Sequence, residues 1–320
     1  MGIRTPSVHV GTCSWADRTM IDSWYPSDVT TPAARLRYYA EHFDTAEVDA
    51  SFYAIPDRRV VENWVKRTPP GFIFHVKAFG MMTGHSVDDR ALHPELREYR
   101  HEVERGRVTR PSPEMVDAAF DLFLEAIEPL EEAGKLGGIL MQYPPVFNAL
   151  DEALLEDNLA TIDYARGKLE KRRMLVEFRH PSWVDEKHVR ETLSFLTQRD
   201  ITYVAVDAPQ FPTHTTMPPL VAVTSGVGYV RLHGRNRDTY FARNVSASDR
   251  FNYLYTTEEL EEWVPRIRSL AEDTDVTYVM FNNCRADYAP RNAREFAAMI
   301  PDIVVPVVPP MRDEQLGLGL

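Results

Sequence analysis

The chain has 320 residues, enough to bury the core of one barrel or of two ordinary domains. Its formal charge of −12 at pH 7 excludes a surface that is basic all over, as in histone-like proteins, but is compatible with a local basic cleft. The sequence lacks an apolar run of about 18 residues and an N-terminal signal segment, and its two cysteines, Cys13 and Cys284, lie far apart, so we predict a reduced, cytoplasmic protein with no membrane partner.

Eight short apolar runs, most of them bounded by Gly, Pro or Asp, are predicted to form β-strands. In chain order they are Val8–Cys13, Ala46–Ala50, Phe72–Lys77, Gly138–Gln142, Met174–Phe178, Thr202–Asp207, Gly228–His233 and Thr277–Phe281. Segments with helical periodicity fill the gaps between them. This alternation predicts a single-domain (β/α)8 barrel of the TIM type, with a doubly wound open sheet as the alternative. Because no G-x-G-x-x-G turn or Walker-type loop occurs, no nucleotide cofactor is predicted.

Two stretches lie outside this alternation. Residues 80–112 follow the third predicted strand and are rich in His, Arg and Glu, and we expect a long insertion or a lid there. Residues 304–320 contain Pro306, Pro309 and Pro310, and we expect an extended, flexible tail. The predicted organisation is therefore a barrel domain over residues 1–303 followed by this tail.

Polar side chains are concentrated at the carboxyl ends of the predicted strands, where parallel barrels bind their ligands. Side chains alternate along a strand, so residues two apart should share the inward face. The inward residues predicted in this way are Ser14, Asp49, Tyr53, Lys77, Gln142, Glu177, Arg179, Asp207, Arg231, His233, Arg235 and Asn282. Trp15 and Trp183 are added as aromatic residues that either line the pocket or pack beside it. The same alternation turns Cys13 away from the mouth and places Glu47 deeper, where a structural role is expected.

Cations outnumber carboxylates in this inward set, which favours an anionic ligand that carries phosphate or carboxylate. We therefore treat the cations, the amides, Ser14, Tyr53 and the two tryptophans as candidate ligand-binding residues. The candidate catalytic residues are Glu177 or Asp207 as the general base, His233 as the general acid or a metal ligand, and Asp49. A divalent metal is the alternative occupant, but no H-E-x-x-H motif or dense His cluster supports one. The cofactor is therefore left unassigned.

Several motifs occur in an order that resembles one known family. They are Gly11-Thr-Cys-Ser-Trp15, Glu47-Val-Asp-Ala-Ser-Phe-Tyr53, Phe74-His-Val-Lys77, Gln142-Tyr-Pro-Pro145, Glu177-Phe-Arg-His-Pro-Ser-Trp183, Tyr229-Val-Arg-Leu-His-Gly-Arg235 and Phe281-Asn-Asn283. The set is similar to the YecE-like family, catalogued as domain of unknown function 72. The resemblance implies a TIM-type barrel and no established reaction. The motif positions that it implies for the site are Asp49, Lys77, Glu177, Arg179, His180, Arg231, His233, Arg235 and Asn282.

The C-terminal hexapeptide Gln315–Leu320 is similar to the Q-L-x-L-x-L peptide that bacterial proteins dock into the sliding DNA clamp. A tethered peptide of this kind fills an apolar groove with its spaced side chains, here Gln315, Leu316, Leu318 and Leu320. The sequence thus predicts the sliding clamp as a partner, with a plain unstructured end as the alternative.

These observations predict an enzyme, a hydrolase or a lyase, that acts on a phosphate-bearing ligand. The tail suggests that this ligand is nucleic acid in replication or repair. A phosphorylated small molecule is the other candidate ligand. Two further alternatives stay open: a non-catalytic binding module recruited through the C-terminal peptide, and an enzyme acting on a small sugar or sugar phosphate.

Overall fold

The computed structural model describes residues 5–212, 216–242 and 245–309. Its strands are β1 (Val8–Thr12), β2 (Thr45–Val48), β3 (Ile73–Lys77), β4 (Val87–Asp88), β5 (Arg107–Val108), β6 (Leu136–Gln142), β7 (Met174–Glu177), β8 (Thr202–Asp207), β9 (Val227–Leu232) and β10 (Val276–Phe281). All of them except β4 and β5 close into a barrel of eight parallel strands, in the order β1-β10-β9-β8-β7-β6-β3-β2. The predicted (β/α)8 barrel is confirmed, and every predicted strand end lies within two residues of the observed one.

Helices follow the barrel strands and cover them. They are α1 (Arg18–Ser23), α2 (Pro32–Ala40), α3 (Arg58–Lys66), α4 (Pro113–Glu132), α5 (Glu152–Leu169), α6 (Val189–Gln198), α7 (Ala247–Arg250), α8 (Thr257–Glu261), α9 (Val264–Glu272) and α10 (Tyr288–Met299). Their starts are set by local chemistry. The Ser112 side chain accepts a hydrogen bond from the Met115 amide at the start of α4, and Thr256 and Glu259 form a capping box on α8. Within the described ranges, no helix has the length and apolar character needed to cross a membrane.

The lower part of the barrel interior, towards the amino ends of the strands, is filled by rings. His75 on β3 lies with its ring centroid 4.8 Å from that of Tyr229 and 4.3 Å from that of Tyr278. Burial lowers the pKa of His75 well below its usual value, so this imidazole is neutral and acts as a packing group. The charged side chains of the barrel interior therefore begin one layer above His75.

The insertion at residues 80–112 is ordered and packs beside the barrel mouth. Its short strands β4 and β5 pair antiparallel, with Val87 opposite Val108. Leu92, Leu96 and Val108 are buried in the main hydrophobic core and anchor the insertion. It therefore forms a fixed wall of the region above β3, and its predicted role as a lid stays a prediction.

The chain leaves the barrel later than the sequence suggests. Val305 donates a backbone hydrogen bond of 2.9 Å to Val8, and Val304 forms a parallel bridge with the same residue. The first residues of the predicted tail are thus tied to β1. The clamp-like peptide Gln315–Leu320 lies outside the described residues, so its role stays a prediction.

Candidate functional site

Arg231 on β9 is the centre of a charged network that crosses the barrel interior. Its guanidinium donates to Glu47 Oε1 at 2.6 Å and to Glu177 Oε2 at 2.5 Å, and none of the three side chains is exposed. The second oxygen of Glu47 accepts a hydrogen bond of 2.9 Å from Tyr229 Oη. Burial raises the pKa of Glu47, against the opposing charge of Arg231. Glu47 therefore lies beneath the mouth as part of the interior network.

Glu177, at the end of β7, is held by donors from several strands. Its Oε1 accepts from Gln142 at 2.8 Å, from Arg179 at 3.0 Å and from His233 Nε2 at 3.1 Å. Burial works to raise the pKa of Glu177, but the charge of Arg231 and the contact with His233 outweigh it and hold this pKa well below its usual value. An ionised carboxylate with so many donors is a poor proton acceptor, so we assign it to anchoring the site rather than to the predicted base role.

His233 has both ring nitrogens in use. Because Glu177 only accepts, Nε2 must carry the hydrogen of that bond, and Nδ1 then accepts from the Asn282 amide at 2.8 Å. Burial lowers the pKa of His233 to about 4. The imidazole is therefore neutral, and its surroundings do not suit the predicted role of general acid.

We expect the His233 imidazole to show no titration between about pH 5 and pH 8, since its folded pKa is about 4 against an ordinary value of 6.5. Between these two values the unfolded chain binds the proton and the folded chain does not. The contribution of His233 to the free energy of unfolding is thus present above pH 6.5 and is lost as the pH falls towards 4. Imidazole ¹⁵N–¹H correlation spectra recorded against pH provide the measurement.

The substitution Asn282→Asp tests the assigned tautomer. A carboxylate can accept a hydrogen from Nδ1 of a charged imidazole, which the amide nitrogen cannot, so the pKa of His233 should rise by about one unit or more. The same spectra measure it, and an unchanged pKa would contradict the assigned hydrogen bond.

A cavity of about 260 Å³ opens above this network at the carboxyl ends of the strands. It is lined by Asp49, Phe52, Tyr53, Lys77, Gln142, Arg179, Val245, Ala247, Arg250, Phe251 and Asn282. Lys77 Nζ lies 2.8 Å from Asp49 Oδ1 and 4.4 Å from the centre of the Phe52 ring. Burial alone would raise the pKa of Asp49, but the charges of Lys77 and Arg231 hold it below its usual value. Asp49 is thus an ionised carboxylate that faces the cavity.

The charged groups that line this cavity are mainly cations. Lys77, Arg179 and Arg250 stand against the single carboxylate of Asp49. Arg179 NH2 is fixed by the Tyr240 hydroxyl at 3.0 Å. Arg250 donates to the backbone carbonyls of Tyr240 and Ala242 and, within the described residues, shares no ion pair. Lys77 is paired with Asp49 and Arg179 with Glu177, so among the described residues the cavity carries one excess positive charge, that of Arg250.

Arg250 and Phe251 are site residues that reasoning from strand ends did not find. They lie in the long segment between β9 and α8, where Phe251 stacks on His233 with ring centroids 5.4 Å apart. A signal for them was available, because Tyr240, Arg250 and Phe251 are basic and aromatic residues in one long strand-to-helix connection.

Asp207 and Arg235, both predicted for the mouth, form a separate cluster. Arg235 Nε lies 2.9 Å from Asp207 Oδ2, and Arg235 NH2 lies 2.8 Å from Glu262. The Tyr255 hydroxyl also donates to Asp207, at 2.6 Å. Neither residue lines the cavity. The prediction for Arg235 was wrong in placement because β9 ends at Leu232, so the strand alternation does not extend to it.

The two predicted tryptophans pack in the helix layer. Trp183 is fully buried, stacks on Phe178 at 4.3 Å between ring centroids, and donates from Nε1 to the Phe147 carbonyl at 2.9 Å. Trp15 packs edge-on against Trp64 and Phe74. Neither lines the mouth cavity, so the packing alternative describes both.

The inward face of β1 is the opposite of the one predicted. Thr12 contacts the Tyr39 hydroxyl in the helix layer, and Ser14 Oγ accepts from the Ala16 amide, away from the cavity. Cys13 instead lies inside, in electrostatic contact with Arg231 and Glu47, and burial raises the pKa of its thiol well above the usual value. The alternation failed here because β1 ends at Thr12, so Cys13 and Ser14 lie past the strand. The protonated thiol is no nucleophile.

Metal ligation was the alternative for the carboxylates beside His233. Across residues 5–212, 216–242 and 245–309, no group of three or more His, Cys, Asp or Glu side chains is arranged to hold a metal ion. The oxygens of Glu177 and both nitrogens of His233 are already engaged by protein groups.

Comparison with known proteins identifies relatives over almost the whole chain. Residues 9–313 match the family described as protein of unknown function DUF72. The UPF0759 protein YunF of Bacillus subtilis strain 168 is 30% identical over 296 residues, which cover 92% of this chain and 94% of the relative. None of these descriptions names a substrate or a reaction.

Solved structures of DUF72 family proteins have the same fold. The one from Thermotoga maritima MSB8 is 30% identical, with a TM-score of 0.72 over 92% of this chain and 99% of that chain. The one from Enterococcus faecalis V583 is 24% identical, with a TM-score of 0.71 over 92% of this chain and 98% of that chain, and indicates the fold alone.

Proposed function

Since this chain belongs to the DUF72 family of proteins of unknown function, its relatives supply no activity for it, and we propose that it is an enzyme acting on a phosphate-bearing ligand. The proposal comes from the geometry of its mouth cavity. The observation that carries the proposal is the charge of this cavity. Lys77, Arg179 and Arg250 line it, and Arg250 has no carboxylate partner among the described residues, although the whole chain carries a net charge of −12. An anion is therefore attracted to this part of the surface in preference to the rest.

The three cations suit a phosphate group in different ways. Arg179 and Arg250 each have five N–H donors, of which two are used within the protein, so donors remain for phosphate oxygens. Lys77 supplies a compact charge from the strand end itself. Arg179 and Arg250 are both fixed by contacts with the segment around Tyr240, so less side-chain freedom is lost when an anion binds.

Proton transfer, if the ligand is turned over, falls to the Asp49–Lys77 pair. Glu177 and His233 are engaged in the network below, whereas Asp49 and Lys77 both line the cavity. Asp49 is ionised and can accept a proton from a nucleophile, and Lys77 can stabilise negative charge that develops on the phosphate oxygens. This arrangement supports a hydrolase or a lyase.

The substitution Arg250→Gln tests anion binding at the cavity. We expect the affinity for inorganic phosphate, measured by titration calorimetry at low salt, to fall about 10- to 150-fold, because a hydrogen bond to a charged group contributes about 1.5–3 kcal/mol. Arg266→Gln is the matched control, since Arg266 is also half-buried and also donates to a backbone carbonyl, but on α9. Equal phosphate affinities for the wild type and both variants would contradict the proposal, as would an absence of phosphate binding.

A further inference from the structure

A second cavity lies directly beside the mouth cavity and is the larger of the two. Its volume is about 640 Å³, and its outer wall is built by the insertion, through Val87, Asp88 and Arg107. Both cavities are lined by Phe52 and Tyr53. The two cavities therefore adjoin at Phe52 and Tyr53, and we refer to them together as the groove, which extends from the strand ends to the insertion.

Tyr53 stands at the junction of the two cavities with most of its surface uncovered. The side chain is 58% exposed, and its ring packs perpendicular to that of Phe52, with centroids 5.2 Å apart and planes at 90°. Phe52 in turn lies under Lys77. The groove therefore offers an aromatic surface next to the cations of the mouth, and such a surface stacks well with a planar ring of a ligand.

The positive charge of the mouth continues along the groove. The second cavity is lined by Arg90, Arg107 and one carboxylate, Asp88, which accepts from Arg90 at 2.9 Å and 2.6 Å, so Arg107 is the cation without a carboxylate partner in this lining. The hydrogen bonds of Arg107 go to Ser86, at 2.7 Å and 2.6 Å, which fixes its guanidinium at the wall. Cations thus lie on both sides of Tyr53. This arrangement suits a ligand in which phosphate groups alternate with units that carry a planar ring.

The size of the mouth cavity also indicates a ligand that extends beyond it. At about 260 Å³ it is smaller than ordinary ligand pockets, which enclose roughly 300–1,000 Å³. It has room for a phosphate and part of the group attached to it. The remainder of a larger ligand would lie along the adjoining groove.

We propose, building on the proposed function above, that the ligand is a single-stranded oligonucleotide. One phosphate binds among Lys77, Arg179 and Arg250, a neighbouring base stacks on Tyr53, and the strand continues past Arg107 and Arg90. Single-strand sites in proteins combine a cationic groove with aromatic stacking surfaces in this way. The order of cations, ring and cations along the groove matches the order of phosphate, base and phosphate along the strand.

The test is fluorescence anisotropy with labelled oligothymidylates of increasing length, together with competition by thymidine monophosphate and by inorganic phosphate. We expect affinity to rise with length until the groove is filled. Tyr53→Ala should weaken oligonucleotide binding about 5- to 150-fold, since stacking of one base contributes about 1–3 kcal/mol, and this loss should exceed any loss of affinity for inorganic phosphate, which has no ring to stack. Tyr53→Phe keeps the ring and should retain affinity. Tyr164→Ala removes another exposed tyrosine, on α5, and serves as the control.

The salt dependence gives an independent readout of the outer cations. Arg107→Gln should reduce the slope of log affinity against log salt by about 0.7 for oligonucleotides, the value for one lost phosphate contact on a single strand. It should have no effect on inorganic phosphate, which binds only at the mouth. Arg107 is exposed, so this substitution does not disturb core packing.

The outcomes separate this inference from the function on which it rests. Phosphate binding that depends on Arg250, with no gain from oligonucleotide length and no effect of Tyr53→Ala, would overturn the inference and leave the proposed function standing. No binding of phosphate at all would overturn both. A phosphorylated oligosaccharide that binds more tightly than an oligonucleotide of equal charge, and depends on Tyr53, would overturn the choice of nucleic acid.

Discussion

Replacing Arg231 by methionine is expected to lower the free energy of unfolding by about 3–5 kcal/mol, the usual cost of removing one member of a buried ionic network. The substitution leaves Glu47 and Glu177 without their shared cation in the barrel interior, where neither carboxylate has any exposed surface. Urea-induced unfolding at neutral pH measures the loss. The loss should shrink at acidic pH, because the orphaned carboxylates can then take up protons.

The matched control for Arg231 is an arginine with similar geometry at the surface. Arg268 forms two hydrogen bonds of 2.7 Å with Asp302, and both side chains are well exposed. Arg268→Met should therefore cost only about 0–1 kcal/mol. If both substitutions reduce stability by the same small amount, the interior network does not contribute in the way that its burial implies.

Replacing Lys77 by methionine is expected to lower the affinity for inorganic phosphate about 100-fold or more, which corresponds to about 2.7 kcal/mol. Two effects act in the same direction. The variant loses one cation of the cavity, and it removes the partner 2.8 Å from Asp49, whose charge then repels the phosphate. Calorimetric titration with phosphate, at the same pH and low salt for both proteins, measures the change.

The double variant Lys77→Met/Asp49→Asn separates these two effects. Part of the lost phosphate affinity should return, because the unpaired carboxylate is gone, whereas Asp49→Asn alone should bind phosphate more tightly than the wild type. Lys135→Met is the control: Lys135 is also buried, but it lies at the opposite end of the barrel and donates to the Thr68 and Val65 carbonyls. If Lys135→Met weakens binding as strongly as Lys77→Met, the loss reflects general destabilisation.

The fold could be predicted because its signals are local. Apolar runs bounded by turn residues mark the strands, and caps such as Ser112 mark the helix starts. The placement of site residues followed strand alternation wherever a strand was long and polar residues occupied one face. On β9 and at the position just after it, for example, Tyr229, Arg231 and His233 all contribute to the interior network.

The remaining site residues depend on features that alternation does not describe. Arg235 lies past the end of its strand and turns to Asp207, and Cys13 and Ser14 lie past Thr12, where β1 ends. Arg250 reaches the cavity from a long connection whose path is set by tertiary contacts. The charge balance of the site could not be predicted from the sequence either, because the hydrogen bond between Arg231 and Glu177 follows from packing across the barrel.

The network around Arg231 also bears on how the polypeptide reaches its native state. Glu47 and Arg231 are separated by 184 positions in sequence, and Glu177 and Arg231 by 54. A growing chain that has emerged only as far as β8 carries both acids of the interior without the base that neutralises them. The first six barrel strands are thus electrostatically incomplete, and closure of the barrel becomes an all-or-none event that waits for the last quarter of the chain.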